Sequence, residues 1–196
     1  ILYIMVGVSI LPVAIHLNQL YFLFGKEKGI EYGIQGFSDF GGGKEKESIF
    51  KGAIREGCEE LTGFYGNETE LENKIKKAGG TFHINHENKY HVHIFLTDYD
   101  ENLPYYFGNN HRYLWEKMDN KDLSKTKLFE KIGLDWFTIE DMENRRNEFR
   151  PFYRHIVDNI IGKKEKIKQF LEKNNKKKNK YHSHNKTHKK NNKLIY

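Results

Sequence analysis

This chain has little with which to be cross-linked or embedded. A single cysteine, Cys58, excludes an internal disulfide framework and fits a reducing compartment, so the cytosol is the expected location. Long apolar runs are also missing. The opening "ILYIMVGVSILPVAI" is 15 residues, short of the roughly 18 to 20 that a membrane helix needs. It contains Pro12 and has no basic flank before it, so it reads as a buried strand rather than a signal or anchor, and no membrane partner is expected. The first residue is Ile, so a fragment or an alternative start is expected, with Met5 the nearest candidate initiator. No internal repeat is present.

The 196 residues fit one domain plus a tail. The net charge of +6 hides an asymmetry: residues 163–196 hold 13 Lys against 2 Glu, which leaves 20 Lys and Arg against 25 Asp and Glu in residues 1–162. After Leu171 the tail is nearly all Lys, Asn and His and lacks the apolar surface that offsets ordering entropy. The expected division is a folded domain over 1–162 and a basic, largely disordered tail over 163–196. Within the tail Lys176, Lys177 and Lys178 form the densest basic run, suited to a nucleic-acid backbone. An AT-rich genome would produce the same Lys and Asn bias without selection for binding.

Along the domain, "VGVSILPVAI" and "QLYFLFGKE" suggest two strands with a turn near "HLNQ". A glycine-punctuated loop, "GIEYGIQGFSDFGGGKEKES", leads to Ser48, a good N-cap for "IFKGAIREGCEEL". Phe50, Ala53, Ile54, Gly57, Cys58 and Leu61 recur at the spacing of one apolar helix face. "ETELENKIKKA" reads as a charged second helix, and "GTFHINH" and "KYHVHIFLTDY" as strands. "KIGLDWFTIEDM" reads as a strand running into a turn, and "FRPFYRHIVDNIIGKKEKIKQFL" as a final helix entered at Pro151. Strands interleaved with helices indicate a mixed α/β domain.

Glu56, Glu59 and Glu60 fall at i, i+3 and i+4, which at about 100° per residue gathers three carboxylates on one helix face, opposite the apolar stripe. Such pairs repel by a few tenths of a kcal/mol each in an isolated helix, and a hard divalent cation with oxygen ligands relieves them. Gly52, one turn back, leaves open space beside them. Taken alone the cluster reads as a solvated acidic face.

Its setting changes that reading. From Gly41 the chain runs five residues to Glu47, seven to Arg55-Glu56, two to Glu59-Glu60, and then Gly63-Phe64. This resembles the Nudix box, G-x5-E-x7-R-E-U-x-E-E-x-G-U with U a bulky aliphatic. There are two departures: Gly57 stands where the aliphatic belongs, which would loosen packing under the helix, and an extra residue separates Glu60 from Gly63. The resemblance implies an α/β/α sandwich with a mixed central sheet and a hydrolase of diphosphate linkages that uses Mg²⁺ or Mn²⁺. It further implies that Glu56, Glu59 and Glu60 are metal ligands, that Arg55 orients them, and that Gly41, Glu47 and Gly63 support the loop–helix geometry.

A carboxylate outside the box often completes catalysis in this family. "FEKIGLDWFTIEDM" is similar to a segment of eukaryotic mRNA-decapping Nudix enzymes in which a glutamate precedes a strand ending in Trp-Phe, and Glu130 occupies that place. Glu101, Glu116 and Glu140 are its rivals. "LYFLFGKE", "DFGGGKE" and "FRPFYRHIV" look like Nudix proteins of large cytoplasmic DNA viruses, which implies a host-cytoplasmic setting. Two substrate classes stay open: capped RNA, with Trp115, Tyr105, Tyr106 or Trp136 stacking on the cap base, and a small diphosphate-containing molecule such as a diphosphoinositol polyphosphate, dinucleoside polyphosphate or nucleotide sugar. A non-catalytic binding module is a third reading, opposed by the presence of all three helix glutamates and the arginine. His91 and His93 share a strand face without a third ligand in sequence reach, and the tail's "HSHNKTH" would catch soft metals only adventitiously, so neither reads as a metal site.

Overall fold

The computed structural model describes residues 6–27, 35–119 and 129–176. Strands β1 (Gly7–His16) and β2 (Gln19–Glu27) form a hairpin through Leu17 and Asn18, whose φ values of 46° and 63° are the left-handed pair that a two-residue turn needs to match strand twist. The hairpin pairs only at its closed end, Val13–His16 against Phe22–Gln19. Where the strands part, the glycine-rich segment enters as two short strands. β3 (Phe37–Ser38) pairs with Lys26 and Gly25 of β2, and β4 (Phe40–Gly43) with Ile10–Gly7 of β1. The segment expected to be a loop is therefore partly sheet. Its glycines allow the insertion, since a Cβ on Gly41 would stand 2.3 Å from both Ser9 Cβ and the Val8 carbonyl oxygen.

The remaining strands are β5 (Phe82–His86), β6 (Tyr90–Thr97) and β7 (Lys131–Phe137). β6 runs parallel to β1 over Gly7–Ala14, β5 antiparallel to β6, and β7 antiparallel to β2, giving a mixed seven-stranded sheet.

Helices cover both faces. Val8, Ile10 and Ala14 of β1 pack with Ala53 and Ile54 of α1 (Ile49–Glu60), Leu71 and Ile75 of α2 (Glu68–Lys77), and Phe107 of α3 (Leu103–Lys117). Leu11 and Val13, pointing the other way, share a core with Met142 of α4 (Ile139–Asn144), with Ile156, Val157 and Ile160 of α5 (Arg154–Gly162), and with Ile167 and Leu171 of α6 (164–176). This is the expected α/β/α arrangement. Each face buries more than a dozen apolar side chains, and at about 1.5–3 kcal/mol per large side chain this burial dominates the folding free energy.

Three expectations are corrected. The turn after Phe137 is helix α4, capped by reciprocal bonds between Thr138 and Asp141. The final helix is two, because Pro151 lies in a turn before Arg154 and Lys163 breaks α5 from α6. The fold also continues past residue 162: Ile167 and Leu171 are fully buried, and the Asn174 amide donates to the Gly79 carbonyl. The expected tail beyond 176, with Lys177 and Lys178, lies outside the described residues. Helix α3 had little sequence signal, since Phe107 is its one buried residue. Among the described residues no helix is long and apolar enough to cross a membrane.

Candidate active site

Helix α1 starts where expected, with Ser48 Oγ accepting from the Lys51 amide. It then lies unusually close to β1. A Cβ on Gly57 would come within 2.3 Å of Ile10 Cδ1, so the glycine that stands in place of a bulky aliphatic does not leave a hole; Ile10 fills it from the other side. The space expected at Gly52 is likewise taken, by Glu47 Oε1 at 2.7 Å and Val8 Cγ2 at 3.1 Å from its would-be Cβ. The extra residue after Glu60 is absorbed by the helix terminus, where Thr62 and Gly63 both turn left-handed, at φ 49° and 80°.

Arg55 gathers the site. One Nη nitrogen donates to Glu56 Oε1 at 2.7 Å and to Glu59 Oε1 at 3.4 Å; the other donates to the Gly43 carbonyl at 3.1 Å and to Glu47 Oε1 at 3.2 Å. The guanidinium thereby binds β4 and the following loop to the helix through fixed, planar donors, which a lysine could not reproduce. Although partial burial pulls the other way, the bonds from Glu56, Glu47 and Glu59 keep it firmly charged.

Glu60 departs from expectation. It is not on a solvated face but 3% exposed, accepting a 2.7 Å bond from the Gly41 amide and lying 3.5 Å from Lys131 Nζ. Burial raises its pKa well above the ordinary carboxylate range; Lys131 opposes this, while Glu27, Glu130 and Asp39 add to it. Lys131 is itself fully buried and donates to Glu27 and, at 2.7 Å, to Ser38 Oγ. Desolvation alone would depress its pKa, but Glu60 and Glu27 outweigh that and raise it. Arg150 adds a second cation on Glu27 at 3.2 Å. Sequence reasoning missed Glu27, Lys131 and Arg150, since each is one charge among many until the sheet brings β2 beside β7.

Glu130 is exposed at the entry of β7. Partial desolvation raises its pKa, and repulsion from Glu27, Glu56 and Glu59 adds to the rise. Its rivals Glu101, Glu116 and Glu140 are exposed in a turn, in α3 and in α4 respectively. Cys58, the lone thiol, is pushed up to about 11 by burial and then by Glu68 and Glu59, too high for a thiolate nucleophile at neutral pH.

The aromatic candidates separate. Trp136 is buried with its indole N–H donating to the Asp100 carbonyl at 2.9 Å, so it belongs to the core and offers no face to a base. Trp115 is partly buried against His111 and Phe129. Tyr105 and Tyr106 are 65% and 56% exposed on α3. The third histidine that sequence could not supply is His83, opposite His93 across β5 and β6. The three rings stack nearly parallel, at 10° and 13°, with His83 Nε2 3.0 Å from His91 Nδ1, so they bond and stack rather than converge on a point. Lys176 ends the described part of α6 and is exposed.

Among the described residues no three acidic, imidazole or thiol groups stand at metal-site spacing. The reason is visible: Arg55 draws Glu56 and Glu59 toward itself, while Gly41 and Lys131 hold Glu60. The chemistry of the donors nonetheless fits a hard divalent cation. They are all carboxylate oxygens, and the neighbouring carboxylates that add to burial in raising Glu60 and Glu130 are an excess of negative charge that a cation would relieve.

No family model matches this chain, and no curated protein matches it. Among solved structures it is similar to the Nudix domain of Shewanella oneidensis NrtR complexed with ADP ribose, at 11% identity and a TM-score of 0.42 over 79% of this chain and 84% of that one. It is also similar to a C. elegans Ap4A hydrolase, at 13% identity and a TM-score of 0.37 over 71% and 84%, and to a Nudix family hydrolase from Clostridium perfringens, at 14% and 0.39 over 81% and 96%. At such TM-scores these likenesses decide neither family nor substrate.

Proposed function

We propose that this chain is a Nudix hydrolase that cleaves a diphosphate linkage with Mg²⁺ or Mn²⁺, and that its substrate is capped RNA, from which it releases methylated guanosine diphosphate. The observation that carries the reading is the Arg55 hub, which joins Glu47, Glu56 and Glu59, three positions of the box pattern, and adds the Gly43 carbonyl. In this reading Glu56, Glu59 and Glu60 hold the cation. When bound, it would neutralise the diphosphate and lower the pKa of an attacking water. Arg55 sets the carboxylates of α1, the Gly41 amide and Lys131 fix Glu60, and Glu130 accepts the proton from the water. Burial and the neighbouring carboxylates raise its pKa, the direction that makes a carboxylate a stronger base.

A nucleobase-bearing substrate is favoured over an inositol polyphosphate by the state of the cations. Arg55, Lys131 and Arg150, which touch the carboxylate cluster, are all paired with glutamates, while Tyr105 and Tyr106 offer exposed rings on which a base could stack. The test incubates the protein and Mg²⁺ or Mn²⁺ with cap-labelled RNA and, in parallel, with a diphosphoinositol polyphosphate. Release of methylated guanosine diphosphate from RNA supports the proposal. Turnover of the inositol compound alone would make the chain a small-molecule phosphohydrolase.

A further inference from the structure

Three consecutive residues at the entry of β7 have three different environments. Phe129 is 3% exposed, Glu130 is exposed, and Lys131 is fully buried among Glu27, Ser38 and Glu60. Glu130 is thus held between two buried anchors. The first anchor is strained. Phe129 has φ +74°, a left-handed conformation that is unfavourable for a bulky residue and persists only where its surroundings impose it. A turn that needed only the backbone shape would use glycine, which adopts it without penalty. Here the ring must be what is retained.

The ring's surroundings explain why. His111 and Trp115, one turn apart on α3, stack on each other at 6.0 Å and 7°, and the Phe129 ring meets both edge-on, at 5.2 Å and 83° and at 5.9 Å and 85°. Edge-to-face contacts of this kind are directional and favourable beyond the burial of the rings, so together they offset the backbone strain. With the ring seated and Lys131 tied down, the Glu130 backbone has little freedom.

We propose that the His111–Trp115 pair of α3 is a positioning device for Glu130: by seating the Phe129 ring it fixes the left-handed turn that aims Glu130 at the carboxylates of α1. This rests on the reading of Glu130 as the proton acceptor. None of the three aromatic residues needs to touch substrate. Helix α3, which also carries Tyr105 and Tyr106, is then the element through which substrate contact and base position are linked.

The test is a double-mutant cycle measured on cap-labelled RNA and on a dinucleoside polyphosphate with Mg²⁺. Trp115→Leu should lower kcat about 10-fold or more with KM changed less than about twofold, since misplacing a reacting group by an ångström can cost as much as about 10²-fold. Trp115→Phe, which keeps a ring, should restore most of the rate. In a Glu130→Gln background Trp115→Leu should cost nothing further, because the group it positions has gone. A full additional loss there would make the aromatic pair a plain packing element and overturn the inference. Unchanged turnover in Glu130→Gln alone would instead sink the role of Glu130. In that case, carbon-13 chemical shifts of the Phe129 backbone decide the positioning separately: in Trp115→Leu they should lose the left-handed signature of φ +74°, and unmoved shifts would refute it. Should Trp115→Leu not fold, His111→Leu serves in both measurements.

Discussion

The backbone amide of Gly41 donates a 2.7 Å hydrogen bond to the buried carboxylate of Glu60, 19 residues away. That bond joins the glycine strand to the end of α1, and it depends on a glycine, because any side chain at position 41 would meet β1. Gly41→Ala should therefore destabilise the fold by about 1–3 kcal/mol through overpacking and release Glu60 from its donor. Chemical denaturation checks the first effect. An unchanged midpoint would mean that β4 can slide away from Ser9.

Glu59 and Glu60 should part company on substitution. Glu59 is partly exposed and bonded to Arg55, so Glu59→Gln should lower turnover at least about 10²-fold with little change in thermal midpoint. Glu60→Gln should lose activity and also about 1–3 kcal/mol of stability, since a buried Lys131 loses one of its anions. Equal stability effects would contradict the buried placement of Glu60.

Restoring the bulky aliphatic of the box should do harm. Gly57→Val places methyl groups against Ile10, which already fills that space, and should cost about 1–3 kcal/mol. Pairing it with Ile10→Ala should recover part of the loss. If Gly57→Val alone is neutral, α1 does not lie as close to β1 as described.

Asp39 gives a pH signature. It is buried, accepts from Ser9 at 2.5 Å and from Tyr90 at 2.6 Å, and burial raises its pKa to about 6 against those bonds. A carboxyl whose folded pKa exceeds its unfolded value near 3.8 binds its proton more tightly when folded. Its contribution is therefore present below pH about 4 and lost as pH rises through about 6, amounting to on the order of 3 kcal/mol. Relative to Asp39→Asn, the wild type should become less stable as pH rises from 4 to 6. A constant difference across that window would show that Asp39 titrates normally.

The tail is tested by stopping the chain after Lys176, since α6 through Asn174 is packed on the domain. Loss of residues 177–196 should weaken RNA binding and reduce its salt dependence. Binding that is equal at all salt concentrations would make the tail irrelevant to substrate.

Much of this was legible in the sequence. The box spacing, the Ser48 cap and the 3-4 apolar pattern located α1 and its charges, because helix periodicity and capping are local. What was not legible came from contacts distant in sequence. Lys131 and Glu27 meet across 104 residues, and nothing in "EKIG" marks its lysine as buried. Ile10 filling the place of a side chain missing at Gly57 is a packing exchange between helix and strand that no single segment records. The glycine run read as a loop because glycine disfavours strands, whereas here it is what allows a strand to lie against β1. That Glu60 is buried was not legible either, because periodicity gives the face of a helix and not what stands over it.

The proposed cleavage of a diphosphate bond by a cation held on the carboxylates of α1 stands or falls on one assay. Its most direct test measures diphosphate cleavage on capped RNA and a dinucleoside polyphosphate with Mg²⁺ or Mn²⁺, with and without a chelator, in wild type and Glu59→Gln. Turnover should be abolished by the chelator and lowered at least about 10²-fold by the substitution. Cleavage that persists in the chelator, or that Glu59→Gln leaves intact, would contradict it.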